Sequence, residues 1–146
     1  MIFTNIYTYL ILGVLIILLM SAYLGSKLKF YDKYAWWDRL IHFLTGILSV
    51  SFGVAISRGI VGLNKLHILF FCITLSVTIH VIWEIGEYII DCKMRGNNQR
   101  WQREHNSINH NPPNAIQPAG LVDTMNDTIT CIVGTLIACA VWWFVL

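Results

Sequence analysis

Charge is what this sequence has least of. Lysine, arginine, aspartate and glutamate together make up 12% of its 146 residues, roughly half the share carried by a soluble domain. An ordinary water-exposed surface is hard to assemble from so few charges. Proline is scarce as well: Pro112, Pro113 and Pro118 all lie in one polar stretch, and none interrupts an apolar run. The net charge is only +2, with no basic patch set in polar surface, which argues against nucleic acid as a partner. Four cysteines occur without a Cys-x-x-Cys pair, and Cys72, Cys131 and Cys139 fall inside apolar stretches. That pattern gives neither a disulfide framework nor a zinc site, and reads as small buried residues.

Apolar residues are abundant, at 56% with a mean hydropathy of +0.61. They are also contiguous. About 20 apolar residues cross the hydrocarbon core of a bilayer, and four runs reach that length, at about 2–25, 36–57, 66–91 and 121–146. The first has no basic stretch before it and exceeds the apolar core of a secretory signal, so it is expected to be a mature helix. The expected fold is all-α: a polytopic four-helix transmembrane bundle forming a single membrane domain over residues 1–146.

Orientation follows from the basic residues. The first connection carries Lys27, Lys29 and Lys33, with Arg39 just inside the next run, and the third carries Lys93, Arg95, Arg100 and Arg103. The second has only Arg58 and Lys65, and the tails have no basic side chain. The positive-inside bias therefore places the first and third connections in the cytoplasm and both chain ends outside. Trp36, Trp37 and Trp83 then fall near the inner interface, and Trp142 and Trp143 near the outer one. The third connection, 93–120, is Asn-rich and long enough to be functional or partly disordered. Its His105 and His110 read as exposed loop residues before they read as metal ligands.

The acids are distributed unevenly. Of eight Asp and Glu, all but Asp32 and Glu104 fall within or at the edge of three of the apolar runs. Asp38 and His42 are four apart and share a helix face, which Gly46 continues one turn deeper. On the next helix His80, Glu84, Glu87 and Asp91 form one polar stripe; on the last, Asp123 and Asp127 begin a stripe that runs through Cys131 and Gly134. The helix directions bring all three groups to the same membrane depth, with Glu84 about 12 Å inward of Cys92 at about 1.5 Å per residue. A charge at the bilayer centre costs roughly 2.5–3.5 kcal/mol on the lenient insertion scale. Asp38, Glu84, Glu87, Asp123 and Asp127 have only Arg39 and His42 nearby, so either some hold protons or a bound cation offsets them.

Plainer roles exist for some of these residues. Asp38 and Asp123 each suit the N-terminal turn of a helix. His42 and His80 suit interhelical hydrogen bonding, and Gly46, Gly86 and Gly134 suit close helix packing. Asp127 lies a turn too deep to cap, and Glu84 and Glu87 lie near a helix C-terminus, where the dipole disfavours acids. The expected site is therefore a shared one. Its metal ligands are Asp38, His42, Glu87, Asp123 and Asp127, with Glu84 as a base or further ligand and His80, Asp91 and Thr124 behind them. Oxygen-rich ligation points to a divalent ion of the magnesium, manganese or iron class.

The order Trp37-Asp38-x-x-x-His42-Phe43-x-x-Gly46, Trp83-Glu84-x-x-Glu87 and Asp123-Thr124-x-x-Asp127 with Gly134 resembles the YjdF-type bacterial inner-membrane proteins, and more distantly the VanZ-like proteins. The resemblance covers about residues 36–134. It implies a multi-spanning helical protein of the bacterial cytoplasmic membrane with these acids and His42 as signature positions, and supplies no reaction. One span precedes the Asp/His motif here where such proteins tend to have more, and Val122 stands where an aromatic residue is expected.

Three functions fit. One is a metal-dependent enzyme acting on a lipid headgroup or another amphiphile through activated water. The second is a cation or proton transporter, weakened because no acid continues the path outward and no span carries an obvious Gly/Pro break. The third is a non-catalytic membrane subunit that uses its polar face for packing. The lipid bilayer is the expected partner in each, and a homo-oligomer is compatible with all three.

Overall fold

The computed structural model describes residues 2–34, 36–57, 60, 62–94 and 119–146. Helix α1 (Ile2–Leu18) continues as a wider π-helical segment (Leu19–Lys27), followed by the one-turn α2 (Phe30–Lys33). The remaining long helices are α3 (Trp37–Ser57), α4 (Lys65–Met94) and α5 (Ala119–Val145). Four helices are long and apolar enough to cross a membrane, and there is no strand among the described residues. The expected all-α, four-span architecture is present. The short α2 was not foreseen. It lies against the π-helical segment, where the Tyr31 ring packs over Gly25 and the Tyr31 hydroxyl meets Ser21 Oγ at 2.9 Å.

Local sequence explains the helix ends. Asn64 accepts the backbone N–H of His67 at 3.0 Å, the side-chain cap expected one residue before a helix begins. Gly62, just ahead of it, holds a φ of +89°, which a residue with a Cβ adopts only under strain. At the far end of the bundle Lys65 donates to the Trp143 carbonyl at 2.6 Å and lies 5.0 Å from the centre of its ring, tying the start of α4 to the end of α5.

Helices α3, α4 and α5 pack around one another, with the α3–α5 interface the most extensive. Glycine permits that closeness. A Cβ at Gly46 would run into the Cys131 carbonyl oxygen, and one at Gly134 into the Phe43 carbonyl oxygen. The packing role expected of those two glycines is present; Gly86, by contrast, has no neighbour within 4 Å of its would-be Cβ among the described residues. Cys72, Cys131 and Cys139 are buried free thiols, as their apolar surroundings implied. Among the described residues α1 meets α3 and no other long helix, so it lies at the edge of a three-helix core.

Two layers divide the core. From Val50 and Val54 of α3 through Ile68, Leu69 and Cys72 of α4 to Ala138 and Cys139 of α5 it is apolar. Toward the other end it turns polar, beginning at Ser76 Oγ and Thr135 Oγ1, 2.7 Å apart and fully buried. Because α3 starts, α4 ends and α5 starts at that polar end, the acids and histidines of all three converge there.

Candidate metal centre

Five side chains meet in the polar layer: Asp38 and His42 from α3, His80 and Glu84 from α4, and Asp127 from α5. All are buried, between 2% and 8% exposed. The i, i+4 spacing turns Asp38 and His42 to one face of α3, and their Oδ1 and Nε2 atoms lie 3.5 Å apart. The same spacing on α4 sets Glu84 Oε1 3.7 Å from His80 Nε2, and across the interface it lies 3.9 Å from His42 Nε2. The ligating atoms of Asp38, His42 and Asp127 lie within 4.8 Å of one another, as do those of His42, His80 and Glu84. His42 belongs to both groups.

The hydrogen bonds assign the imidazole protons in sequence. Thr128 donates its one hydroxyl proton to the Thr124 carbonyl at 2.7 Å. Its oxygen can then only accept from His80 Nε2, 2.9 Å away, so that nitrogen carries the proton. His80 Nδ1 is left as an acceptor, and His42 Nδ1 lies 3.3 Å from it and donates. In a neutral His42 this turns the Nε2 lone pair toward Asp38 Oδ1 and Glu84 Oε1. Acceptors therefore face acceptors. Glu84 Oε1 and Asp127 Oδ1 are buried without a hydrogen-bond partner, a state that proteins seldom tolerate without compensation.

The three ion pairs His42–Asp38, His42–Glu84 and His80–Glu84 contain no Lys or Arg, and Arg39 is exposed. An imidazolium at His42 would cancel one of the three carboxylate charges at most. A divalent cation fits the remainder. Ligand shells of about 2.1 Å radius have edges of roughly 3.0–3.5 Å; the 3.5 and 3.9 Å separations lie at and just above that range. The buried His, Asp and Glu groups are thus able to bind a metal ion.

Not every residue expected at the site is brought to this point. Trp83 Nε1 donates to Glu87 at 2.8 Å, and Glu87 is not in either ligand group. Asp123 lies one turn outward of Asp127, half-buried, and is likewise in neither group. Glu84 and His80 occupy the centre that the spacing alone could not separate from Glu87. Thr124 takes part through its carbonyl, and its hydroxyl is within hydrogen-bonding reach of Glu84. The Asp91 side chain and the connection bearing His105 and His110 lie outside the described residues.

A family model described as "Predicted membrane protein (DUF2238)" matches residues 2–146. No curated protein and no solved structure matches the chain.

Proposed function

The chain belongs to the DUF2238 family of predicted membrane proteins, and from that premise we propose that its buried cluster holds a divalent cation and acts on the polar head of an amphiphile at the cytoplasmic leaflet. The observation that carries this reading is that two buried groups of potential ligands, Asp38–His42–Asp127 and His42–His80–Glu84, meet at His42, with one oxygen each of Glu84 and Asp127 unpartnered. One imidazole and three carboxylates form an oxygen-rich set, which favours the magnesium, manganese or iron class over copper. When bound, such an ion supplies a Lewis acid and lowers the pKa of a water molecule beside it.

The chain's own residues supply position and proton transfer. His80 and Thr128 hold the His42 ring in one tautomer, as outer partners of metal-bound histidines do. Glu84, which reaches His42 from the neighbouring helix, is the general base or a further ligand. Glu87 and Asp123, nearer the helix ends, face the incoming headgroup. The positive-inside bias of the basic connections supports a cytoplasmic position for this end of the bundle, with both chain ends outside. The YjdF-type resemblance of the three motifs is consistent with that setting.

Transport is the weaker reading. Beyond Ser76 and Thr135 the interior between α3, α4 and α5 is built around Val50, Val54, Cys72 and Ala138, and the buried polar residues described there, Ser49 and Ser57, carry no charge to offset a crossing ion.

The test is elemental analysis of the purified protein, followed by incubation with mixed phospholipids before and after chelation. About one equivalent of metal, with headgroup release that chelation abolishes and manganese or iron restores, is the expected result. Absence of metal under every loading condition overturns the proposal. A second expectation concerns the proton relay. Thr128→Val keeps the side-chain shape, removes the acceptor for His80 Nε2, and is expected to weaken metal binding by about 10–100-fold, the usual effect of losing an outer partner. Isothermal titration against unchanged helicity would check it; unchanged affinity would remove the relay from the mechanism.

A further inference from the structure

We propose that the groove between α1, α3 and α4 is the binding site for one acyl chain of a membrane lipid, held with its polar end at His42 and His80. This names the substrate side of the proposed site and rests on that reading for its chemistry, while binding of the chain itself needs no metal.

A cavity of about 320 Å³ runs between these helices, with His42 and His80 among its lining residues. Along α1 and its π-helical continuation it extends from Leu10 to Ser21, and along α3 from Ile41 to Phe52. Eleven steps of helix span about 16 Å at about 1.5 Å per residue. That is roughly half of the ~30 Å hydrocarbon core, the depth of a single leaflet and so the reach of one lipid chain. The volume lies at the small end of ligand pockets, about 300–1,000 Å³, which suits one chain and not a whole diacyl lipid.

The walls accept hydrocarbon and little else. Thr45, Ser49 and Ser21 line the groove; Thr45 Oγ1 donates to the Ile41 carbonyl at 2.8 Å and Ser21 Oγ is paired with the Tyr31 hydroxyl. Water needs two to four polar partners to occupy such a space, and two of these three hydroxyls are already engaged. The imidazoles lie at the same end as Ser21 and Ile41, so a ligand that fills the groove has its polar group at that end and its tail toward Leu10 and Phe52. Access is lateral: among the described residues the backbones of α1 and α4 do not approach one another closely, which leaves a seam between them facing the bilayer. The medium that meets that seam is lipid.

The experiment uses the full chain in phosphatidylglycerol vesicles with a trace of phosphatidylglycerol bearing a photoactivated diazirine, either at the tip of one acyl chain or close to its ester. Adducts are mapped by peptide mass spectrometry. The tip probe is expected to label around Leu10 and Phe52, and the ester-proximal probe around Thr45 and Trp83. Labelling scattered over the outward faces of all four long helices, without this ordering by depth, overturns the proposal. Val14→Trp on the peripheral α1 narrows the groove without touching the three-helix core, and is expected to cut ordered labelling by roughly tenfold while leaving metal content unchanged. Undiminished labelling in that variant also overturns it, as does displacement of the probe by a polyisoprenyl phosphate but not by unlabelled phosphatidylglycerol. Ordered labelling in a protein that never binds metal would keep the acyl site and reject the metal reading; metal without ordered labelling would do the reverse.

Discussion

Replacing His42 with alanine is expected to strip the protein of its metal. The residue is shared by both groups of potential ligands, Asp38–His42–Asp127 and His42–His80–Glu84. No other side chain bridges the two. Losing an outer partner of a metal site costs about 10–100-fold in affinity, so losing a ligand common to both groups should exceed about 100-fold. It should abolish any headgroup chemistry with it. The variant also leaves His80 Nδ1 without its donor and takes the His42 imidazole from beside Asp38 and Glu84, so some loss of stability is expected as well. His42→Gln separates the two effects, because it offers hydrogen bonds to the same neighbours and serves poorly as a ligand. Asp127→Asn does the same from α5, keeping shape and removing charge. The matched controls are Glu87→Gln and Asp123→Asn, which alter acids of the same stripes that lie in neither ligand group. If all four variants lose metal equally, the cluster acts through bulk negative charge and not through the geometry around His42. If His42→Gln retains stoichiometric metal, that geometry is not a binding site.

The contrast between Glu84 and Glu87 shows how far the sequence alone can reach. Apolar run length identifies a span because the bilayer has one thickness, and the four spans were legible for that reason. Spacing of three and four identifies a helix face because the helix has one pitch. It therefore put His80, Glu84 and Glu87 on a common stripe, and Asp123 and Asp127 on another. What spacing cannot encode is where two helices cross. The interface of α4 with its neighbours buries Glu84 to 8% exposure, whereas one turn later Glu87 bonds to Trp83 on its own helix. His80 illustrates the same limit. Its central place depends on Thr128, a hydroxyl from another helix that no local pattern links to it. Gly86 shows a related limit: glycine in a membrane helix suggests a close neighbour, but among the described residues none lies within 4 Å of the Cβ it would carry.

Alanine at Gly46 and Gly134 is expected to damage the protein well beyond the size of two methyl groups. In each case the new Cβ meets backbone. At Gly46 the obstacle is the Cys131 carbonyl oxygen, with the Thr135 nitrogen 3.1 Å away; at Gly134 it is the Phe43 carbonyl oxygen. A flexible side chain could rotate aside, but a helix backbone can only translate. Overpacking of this kind costs about 1–3 kcal/mol per site. It opposes the gain of up to about 1 kcal/mol that alanine brings to a helix interior in place of glycine. The two sites lie on opposite sides of the same α3–α5 contact, so the first displacement should relieve the second, and the double variant should cost less than the sum. The separation also has a functional reading. Asp38 and His42 are carried by α3 and Asp127 by α5, so moving these helices apart opens the Asp38–His42–Asp127 group while leaving His80 and Glu84 in place on α4. Metal affinity is therefore expected to fall together with the thermal midpoint in detergent. Gly86→Ala, which meets nothing among the described residues, should leave metal binding unchanged and stability equal or slightly higher. Equal midpoints for Gly46→Ala and Gly86→Ala would show that the α3–α5 contact is looser than its glycines imply, and that the site does not depend on their closeness.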